Sequence, residues 1–273
     1  MPTTKNKQAL TVSLIIPAYN EARQIIMCLD AVAAQTVPPE EVIVVDNNSS
    51  DETVKLARQY SFVTVVTEPK QGVLWARNSG FDAAKNAIIC RIDADTVLPP
   101  DWIAYVKRFY TDPTHTDHTL TGGAYFYNVR LPRLNGWVQG QIAFRANRLL
   151  LGHYITYGSN MALPAKVWRA VRNEVCTTPH IHEDLDLAIH LHRAGYTIDY
   201  RENLRVGVKM RRVRSNRAEL WENMMWWPRT LRWHGKKTWI FGWLGAVILY
   251  VFSPVVSLIE QVARIIRAKP LDE

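Results

Sequence analysis

Short, uniformly apolar runs alternating with amphipathic helical stretches predict an α/β fold: a mostly parallel central sheet with helices on both faces. Two other observations agree. Hydrophobic content of 48% and charged content of 21% suit a globular chain with a full core. Polar clusters directly follow three of the apolar runs, the place where such sheets bind ligands.

The elements follow in order. Val12–Ile16 is a first strand, and Glu21–Gln35 is helical, with Ile25, Ile26, Leu29, Val32 and Ala33 on one face. Glu41–Val45 is a second strand after the Pro38-Pro39 break. Asp51–Tyr60 reads as a helix with Ser50 as N-cap. Val63–Val66, helix Val73–Lys85 and strand Ala87–Ile92 complete a half spanning about residues 11–100. The first, second and fourth strands end in PAYNE, DNNSSD and DADT, which should converge on one crevice. An acceptor half, 101–215, is less regular. It holds a strand at Thr119–Tyr127, a long helix at Arg133–Leu151, the YGSNMAL stretch, a helix at Glu183–Ala194 ended by Gly195, and short strands at Thr197–Arg201 and Arg205–Lys209. No internal repeat or low-complexity linker interrupts residues 1–215, which are expected to form one domain.

Asp93 and Asp95 place two carboxylates at the mouth of the fourth strand. Buried acids are costly unless paired. One reading is an Asx-turn opening the next helix at Pro99. The other is a hard cation, Mg²⁺ or Mn²⁺, held by one or two carboxylates together with phosphate oxygens. Arg77 and the Gly72 loop (QGVLWARNSG) could bring a cation and close backbone to a phosphate. No Walker A or dinucleotide fingerprint is present.

Six stretches in order, SLIIPAYNEA, VIVVDNNSSDET, GVLWARNSG, RIDADTVLPPDW, GSNMAL and HEDLDLAIHLHRAGY, resemble glycosyltransferase family 2 with its GT-A, Rossmann-like fold. The resemblance covers about residues 11–235. It implies an inverting enzyme that takes a sugar from a nucleotide-diphosphate donor. By the same resemblance Pro17, Tyr19 and Glu21 hold the nucleobase, and Asp46 leads the second-strand motif. Asn47 stands where a second acid is common. Arg77 approaches the diphosphate and ribose, Asp93 the ribose and sugar, and Asp95 the metal. Glu183 and Asp184 match the ED pair, with Asp184 as base; read alone, they are acids favoured at a helix N-terminus. Gly158, Ser159 and Asn160 fall on the acceptor side. His182 and His234 are candidates for a late metal histidine, against a plain reading as solvated side chains.

Charge separates the two ends of the chain. Residues 1–200 carry 19 basic and 19 acidic side chains, whereas 201–273 carry 14 and 6, with six of the ten tryptophans. A balanced core argues against a nucleic-acid-binding protein, and basic residues interleaved with Trp suit a membrane interface. A sugar nucleotidyltransferase, the other alternative, calls for a Gly-rich basic loop where this chain has PAYNEA. Residues 216–237 read as a basic, Trp-rich amphipathic helix. Within it Arg229, Arg232 and Trp233 match an R-x-x-R-W pattern that family members carry beside the acceptor channel. Residues 238–273 read as an apolar, membrane-associated helical tail. Thr238–Ile259 holds no charged residue over 22 positions, which as one helix gives about 33 Å, enough to span a bilayer. Pro254, which kinks or ends a helix, opens a second reading of equal weight, a kinked pair lying in the interface. The expected setting is a cell membrane, with the catalytic domain on the cytoplasmic face and a lipid-linked or cell-envelope glycan as acceptor. Three scattered cysteines argue against a disulfide framework, and the first residues carry no apolar run that predicts a signal peptide.

Overall fold

A computed structural model describes residues 10–128, 137, 140–209, 217–248, 250 and 251, the side chains of 141–143 aside. They form two compact units. The first holds the described residues up to Thr177 and from Glu183 to the end of the last strand. The second holds Thr178–His182 and the described residues from Arg217 onward.

In the first unit the described residues build a seven-stranded sheet in the order β3-β2-β1-β4-β6-β5-β7. Strands β1 (Val12–Ala18), β2 (Glu41–Asp46), β3 (Val63–Thr67) and β4 (Ile88–Arg91) run parallel. Between them lie α1 (Ile25–Ala33), α2 (Thr53–Ala57) and α3 (Val73–Ala83). Every residue of β1 and β4 is buried, because helices cover both faces of these central strands. Strand β6 (Met161–Pro164) is antiparallel to both β4 and β5 (His118–Phe126), so β5 points the same way as β4. The edge strand β7 (Thr197–Val208) pairs parallel with β5.

Sequence pattern and structure part in specific places. Helices α1 and α2 are shorter than expected, because the residues ahead of them are engaged between loops. Glu21 N–H donates to Thr53 Oγ1 at 2.8 Å and Ala22 N–H to Asp51 at 3.1 Å. β7 is one continuous strand where two were expected, but its pairing with β5 steps from Gly122–Arg201 to Ala124–Val206, so the exposed pair Glu202-Asn203 sits in a bulge between two paired stretches. Helix α4 (Trp102–Tyr110) follows Pro99-Pro100, where a next helix was one reading, with Trp102, Ile103, Val106, Phe109 and Tyr110 buried on one face; α6 (Ala165–Val171) was not expected. Of the expected helix 133–151, the described part is a π-helical stretch, Gly140–Ala146, continuing into α5 (Asn147–Leu151). Its beginning falls outside the described residues. The ED pair opens α7 (Glu183–Arg193).

In the second unit α8 (Arg217–Trp233) carries Pro228 in its interior and ends at Gly235, whose φ of 69° suits glycine. Lys236 N–H closes back on the Leu231 carbonyl at 2.9 Å. A further helix, α9, takes in 239–248, 250 and 251 among the described residues. The expected membrane-spanning tail finds no support: among the described residues no helix is long and apolar enough to cross a membrane. Gly235 and Lys236 separate α9 from α8, so the apolar stretch starts a new helix instead of extending a long one. The remainder of that tail, with the Pro254 kink, lies outside the described residues.

One packing constraint joins α3 to the sheet. A Cβ at Gly80 would fall 2.3 Å from Ile15 Cγ2 and 2.8 Å from Val45 Cγ2. Gly80→Ala is expected to cost about 1–3 kcal/mol through overpacking. Urea unfolding of the purified chain measures it, and an unchanged midpoint would show that the β1–β2 surface yields freely.

Candidate active site

The loops after β1 and β2 interlock as the sheet topology demands. Asn20 and Asn48 adopt positive φ of 54° and 64°, a conformation that asparagine tolerates better than most residues. Asn20 Oδ1 accepts from Ser50 N–H at 2.8 Å, and Asn20 N–H donates to Ser49 Oγ at 3.1 Å. Asp46, mostly buried, accepts from Ser49 N–H at 3.1 Å. Pro17 pairs with Val45 inside the sheet, while Tyr19 is 51% exposed and forms an open wall. Asn47 is bonded within the protein. Its amide donates to the carbonyls of Glu68 at 2.9 Å and Lys70 at 2.7 Å, and its oxygen accepts from Gly72 N–H at 2.7 Å. Asn47 therefore shapes the 68–72 loop, where Gly72 takes φ 135°.

At the end of β4 the turn reading and the ligand reading separate. The turn is closed by Thr96, whose hydroxyl accepts from Asp93 N–H at 3.2 Å and whose N–H donates to the Asp93 carbonyl at 3.0 Å. The Asp93 carboxylate is thus not consumed by the turn. Its Oδ1 accepts from Arg91 Nη2 at 3.1 Å, and its Oδ2 accepts from the Ser159 hydroxyl. Asp95 is buried two residues on, with Tyr127 OH donating to its backbone carbonyl at 3.3 Å. Burial, then the charge of Asp95, pushes the Tyr127 phenol up to about 12. Burial followed by Asp95 and Asp93 raises the Cys28 thiol too. These paired hard-oxygen donors, with a negative field strong enough to act on their neighbours, fit a divalent cation such as Mg²⁺ or Mn²⁺.

Arg91 stands at the centre of these candidates, and sequence reasoning missed it. It is 1% exposed, and one guanidinium serves three carboxylates: Asp184 Oδ1 at 3.0 Å, Asp93 Oδ1 at 3.1 Å and Glu183 Oε1 at 3.3 Å. Burial pulls its pKa down, but the charges of Asp184, Asp93 and Glu183 outweigh this and hold it above its ordinary value. The signal was present in the sequence: an arginine inside a short apolar strand needs carboxylates near it. Gly158 makes room for that group, since a Cβ there would lie 2.5 Å from Arg91 Cζ. Its N–H donates to Asp184 Oδ2 at 2.7 Å, and Thr156 Oγ1 donates to the Asp184 carbonyl at 2.7 Å.

Two other expected contacts are structural in position. Arg77 is fully buried; Nη1 donates to the Glu183 carbonyl at 2.8 Å, and Nε and Nη2 donate to Asn78 Oδ1. Burial first, then the neighbouring charge of Arg91, lowers its pKa to about 10. Arg77 thus anchors the start of α7. Asn160 braces three elements: it accepts from Trp102 Nε1 at 2.9 Å and donates to the carbonyls of Gly123 and Leu204 at 2.8 and 2.7 Å.

The remaining candidates lie in the second unit. Arg229 forms a two-point ion pair with Glu222, Nη2 to Oε2 at 3.0 Å. Arg232 stacks over Trp239, and Trp233 is 60% exposed. His182 packs edge-on against Trp227, its N–H donating to Thr230 Oγ1 at 2.8 Å. His234 is buried, not solvated.

The family model for Glycosyl transferase family 2 matches residues 13–169. Glycosyltransferase AglE of Haloferax volcanii is 38% identical over 132 residues, 46% of this chain and 41% of the relative. The putative glycosyltransferase EpsH of Bacillus subtilis is 32% identical over 38% of this chain and 31% of its own length. The chain thus matches less than half the length of these curated relatives. Among solved structures, the mannosyltransferase PcManGT of Pyrobaculum calidifontis, in complex with GDP-Man and Mn²⁺, superposes with a TM-score of 0.64 at 20% identity, covering 95% of this chain and 81% of that one. TarS of S. aureus, in complex with UDP-GlcNAc, superposes with a TM-score of 0.57 at 17% identity, covering 81% and 66%. The expected GT-A-like α/β fold is the one observed.

Replacing Arg91 by Met leaves three carboxylates without their shared cation. A loss of about 3–5 kcal/mol is expected on chemical denaturation. Wild-type stability in Arg91→Met would remove Arg91 from the centre of the site.

Proposed function

The chain belongs to glycosyl transferase family 2, and from that premise we propose that it transfers a sugar from a nucleotide-diphosphate donor to an acceptor, with inversion at the anomeric carbon. The observation that carries this reading is the bridge made by Arg91. One guanidinium holds Asp93 of the D-x-D pair and Asp184 of the ED pair at 3.1 and 3.0 Å, so the donor-side acid and the base face one space. The GDP-Man and UDP-GlcNAc bound by the structural neighbours support a nucleotide-sugar donor.

Each residue then has a distinct task. Asp95, with Asp93 beside it, would hold Mg²⁺ or Mn²⁺, and such an ion supplies Lewis-acid neutralisation of charge on a departing diphosphate. Tyr19 offers an exposed ring to the nucleobase, with Pro17, Glu21 and Asp46 beside it. Asp184 accepts the acceptor hydroxyl's proton on a carboxylate oxygen. Arg91 and the Gly158 N–H hold that carboxylate in place, one through each oxygen. Glu183 shares the same cation, and Arg77 fixes the backbone from which both acids project.

The second unit supports attachment to a lipid surface. Ile240, Phe241, Leu244, Ile248 and Val251 are 44–60% exposed. Their spacing leaves an apolar strip on one side of the α9 region, and Lys236 and Lys237 precede it. We infer that the segment lies in the interface of an anionic membrane on the cytoplasmic side, with a lipid-linked or cell-envelope glycan acceptor.

Donor hydrolysis should depend on Mn²⁺ or Mg²⁺ and lose that dependence in Asp95→Ala. In Asp184→Asn, sugar transfer should fall by ~10²–10⁴-fold with the fold retained. Full metal-dependent activity in both variants would sink the assignment. Co-sedimentation with anionic vesicles should weaken by about tenfold or more in the double variant Phe241→Asp, Leu244→Asp. Equal binding by the double variant would remove this face from membrane attachment.

A further inference from the structure

A second cluster of ligating side chains lies wholly within the first unit, away from the crevice. We propose that His115, His118 and Asp199 form a structural site for one zinc-class divalent metal ion. One ring nitrogen from each histidine and one Asp199 oxygen lie within 4.8 Å of one another, and all three side chains are half-buried. Bonds of about 2.0–2.2 Å from a tetrahedral ion bring such atoms together with small side-chain adjustments.

Protonation and rigidity favour the same reading. His115 Nδ1 lies 2.8 Å from the Phe109 carbonyl, which can only accept, so Nδ1 carries the proton and Nε2 the lone pair. Metal-ligating histidines are oriented by this kind of bond. The His115 ring also stacks on Phe109, with centroids 4.0 Å apart and planes within 2°. His118 Nδ1 sits 2.7 Å from Asp199 Oδ2. A metal ion can take the place of the proton between them, releasing it to solvent. The backbones are fixed as well. Asp112 accepts from Thr114 N–H at 2.9 Å in the turn that carries His115, and Tyr110 OH donates to the His118 carbonyl at 3.0 Å. Asp199 pairs with Leu120 across the β5–β7 ladder. Arg201 Nη2, 3.8 Å from Asp199, opposes a further positive charge and makes the site weaker than its ligands alone would.

The ligand set and its place distinguish this site from the D-x-D pair. Two imidazoles with one carboxylate suit Zn²⁺ or Co²⁺ better than Mg²⁺, which prefers oxygen alone. Leu120 and Cys90 both pair with Ala162, so His118 is level with Ile88, at the amino end of β4. Asp93 lies five residues further along, about 16 Å at strand rise. An ion here would clip the turn before β5 to the edge strand β7, outside any step of sugar transfer.

The test uses the full chain, stripped with chelator and titrated with Co²⁺ alone, without nucleotide. One equivalent should bind with a d–d absorption band, and Zn²⁺ should raise the melting temperature. Affinity should fall by about tenfold or more in His115→Ala and in His118→Ala, and be unchanged in Asp95→Asn. Circular dichroism confirms that each variant folds, and His115→Gln provides a milder second substitution. Wild-type affinity in the His115→Ala, His118→Ala double variant overturns the site. So does binding that disappears in Cys176→Ser, because Cys176 and His190 form a separate pair with Sγ and Nε2 3.8 Å apart.

Discussion

The crevice depends on one buried cation. Arg91 ends a four-residue strand with no water to solvate it, and three carboxylates from two distant segments supply what water would have supplied. From this requirement much of the local architecture follows. Asp93 must turn back toward its own strand, which leaves Thr96 to close the turn. Residue 158 must be glycine, because the guanidinium occupies the space of a side chain. The first turn of α7 must reach the sheet, and Arg77 holds it there through the Glu183 carbonyl.

Much of the fold was legible in the sequence for a plain reason. Strands β1, β2 and β4 are buried on both faces and therefore read as unbroken apolar runs. The polar stretches behind them mark strand ends, and the topology brings those ends together. What was not legible is non-local. Nothing near Met161–Pro164 announces that this short strand slips between β4 and β5, reversing direction twice across the sheet. Asp93, Asp95 and Asp184 could be named from their motifs, but Arg91 reads locally as the charged end of a strand. Its partners Glu183 and Asp184 are more than ninety residues away. Asn47, Arg77 and Asn160 could be named from motif position, but not the loops and strands that their hydrogen bonds hold in place.

The two units also divide the electrostatic work. The first 200 residues balance acid against base, so the field in the crevice comes from local pairs and not from net charge. The surplus of basic side chains belongs to the C-terminal part, where exposed charges are screened by salt.

The sequence distance across the Arg91 cluster also has a temporal meaning. A chain emerging from the ribosome presents β1 to β4 well before residues 156–184 exist, and domains settle from the N-terminus as they appear. Until Gly158, Glu183 and Asp184 arrive, the guanidinium at the end of β4 lacks most of its counter-charge and must stay hydrated, which keeps that end of the sheet open. Asp93 and Asp184 can meet only once that later segment has been made. A chain truncated before residue 183 would hold Asp93 and Asp95 without Glu183 or Asp184, and so without the cluster that closes around Arg91.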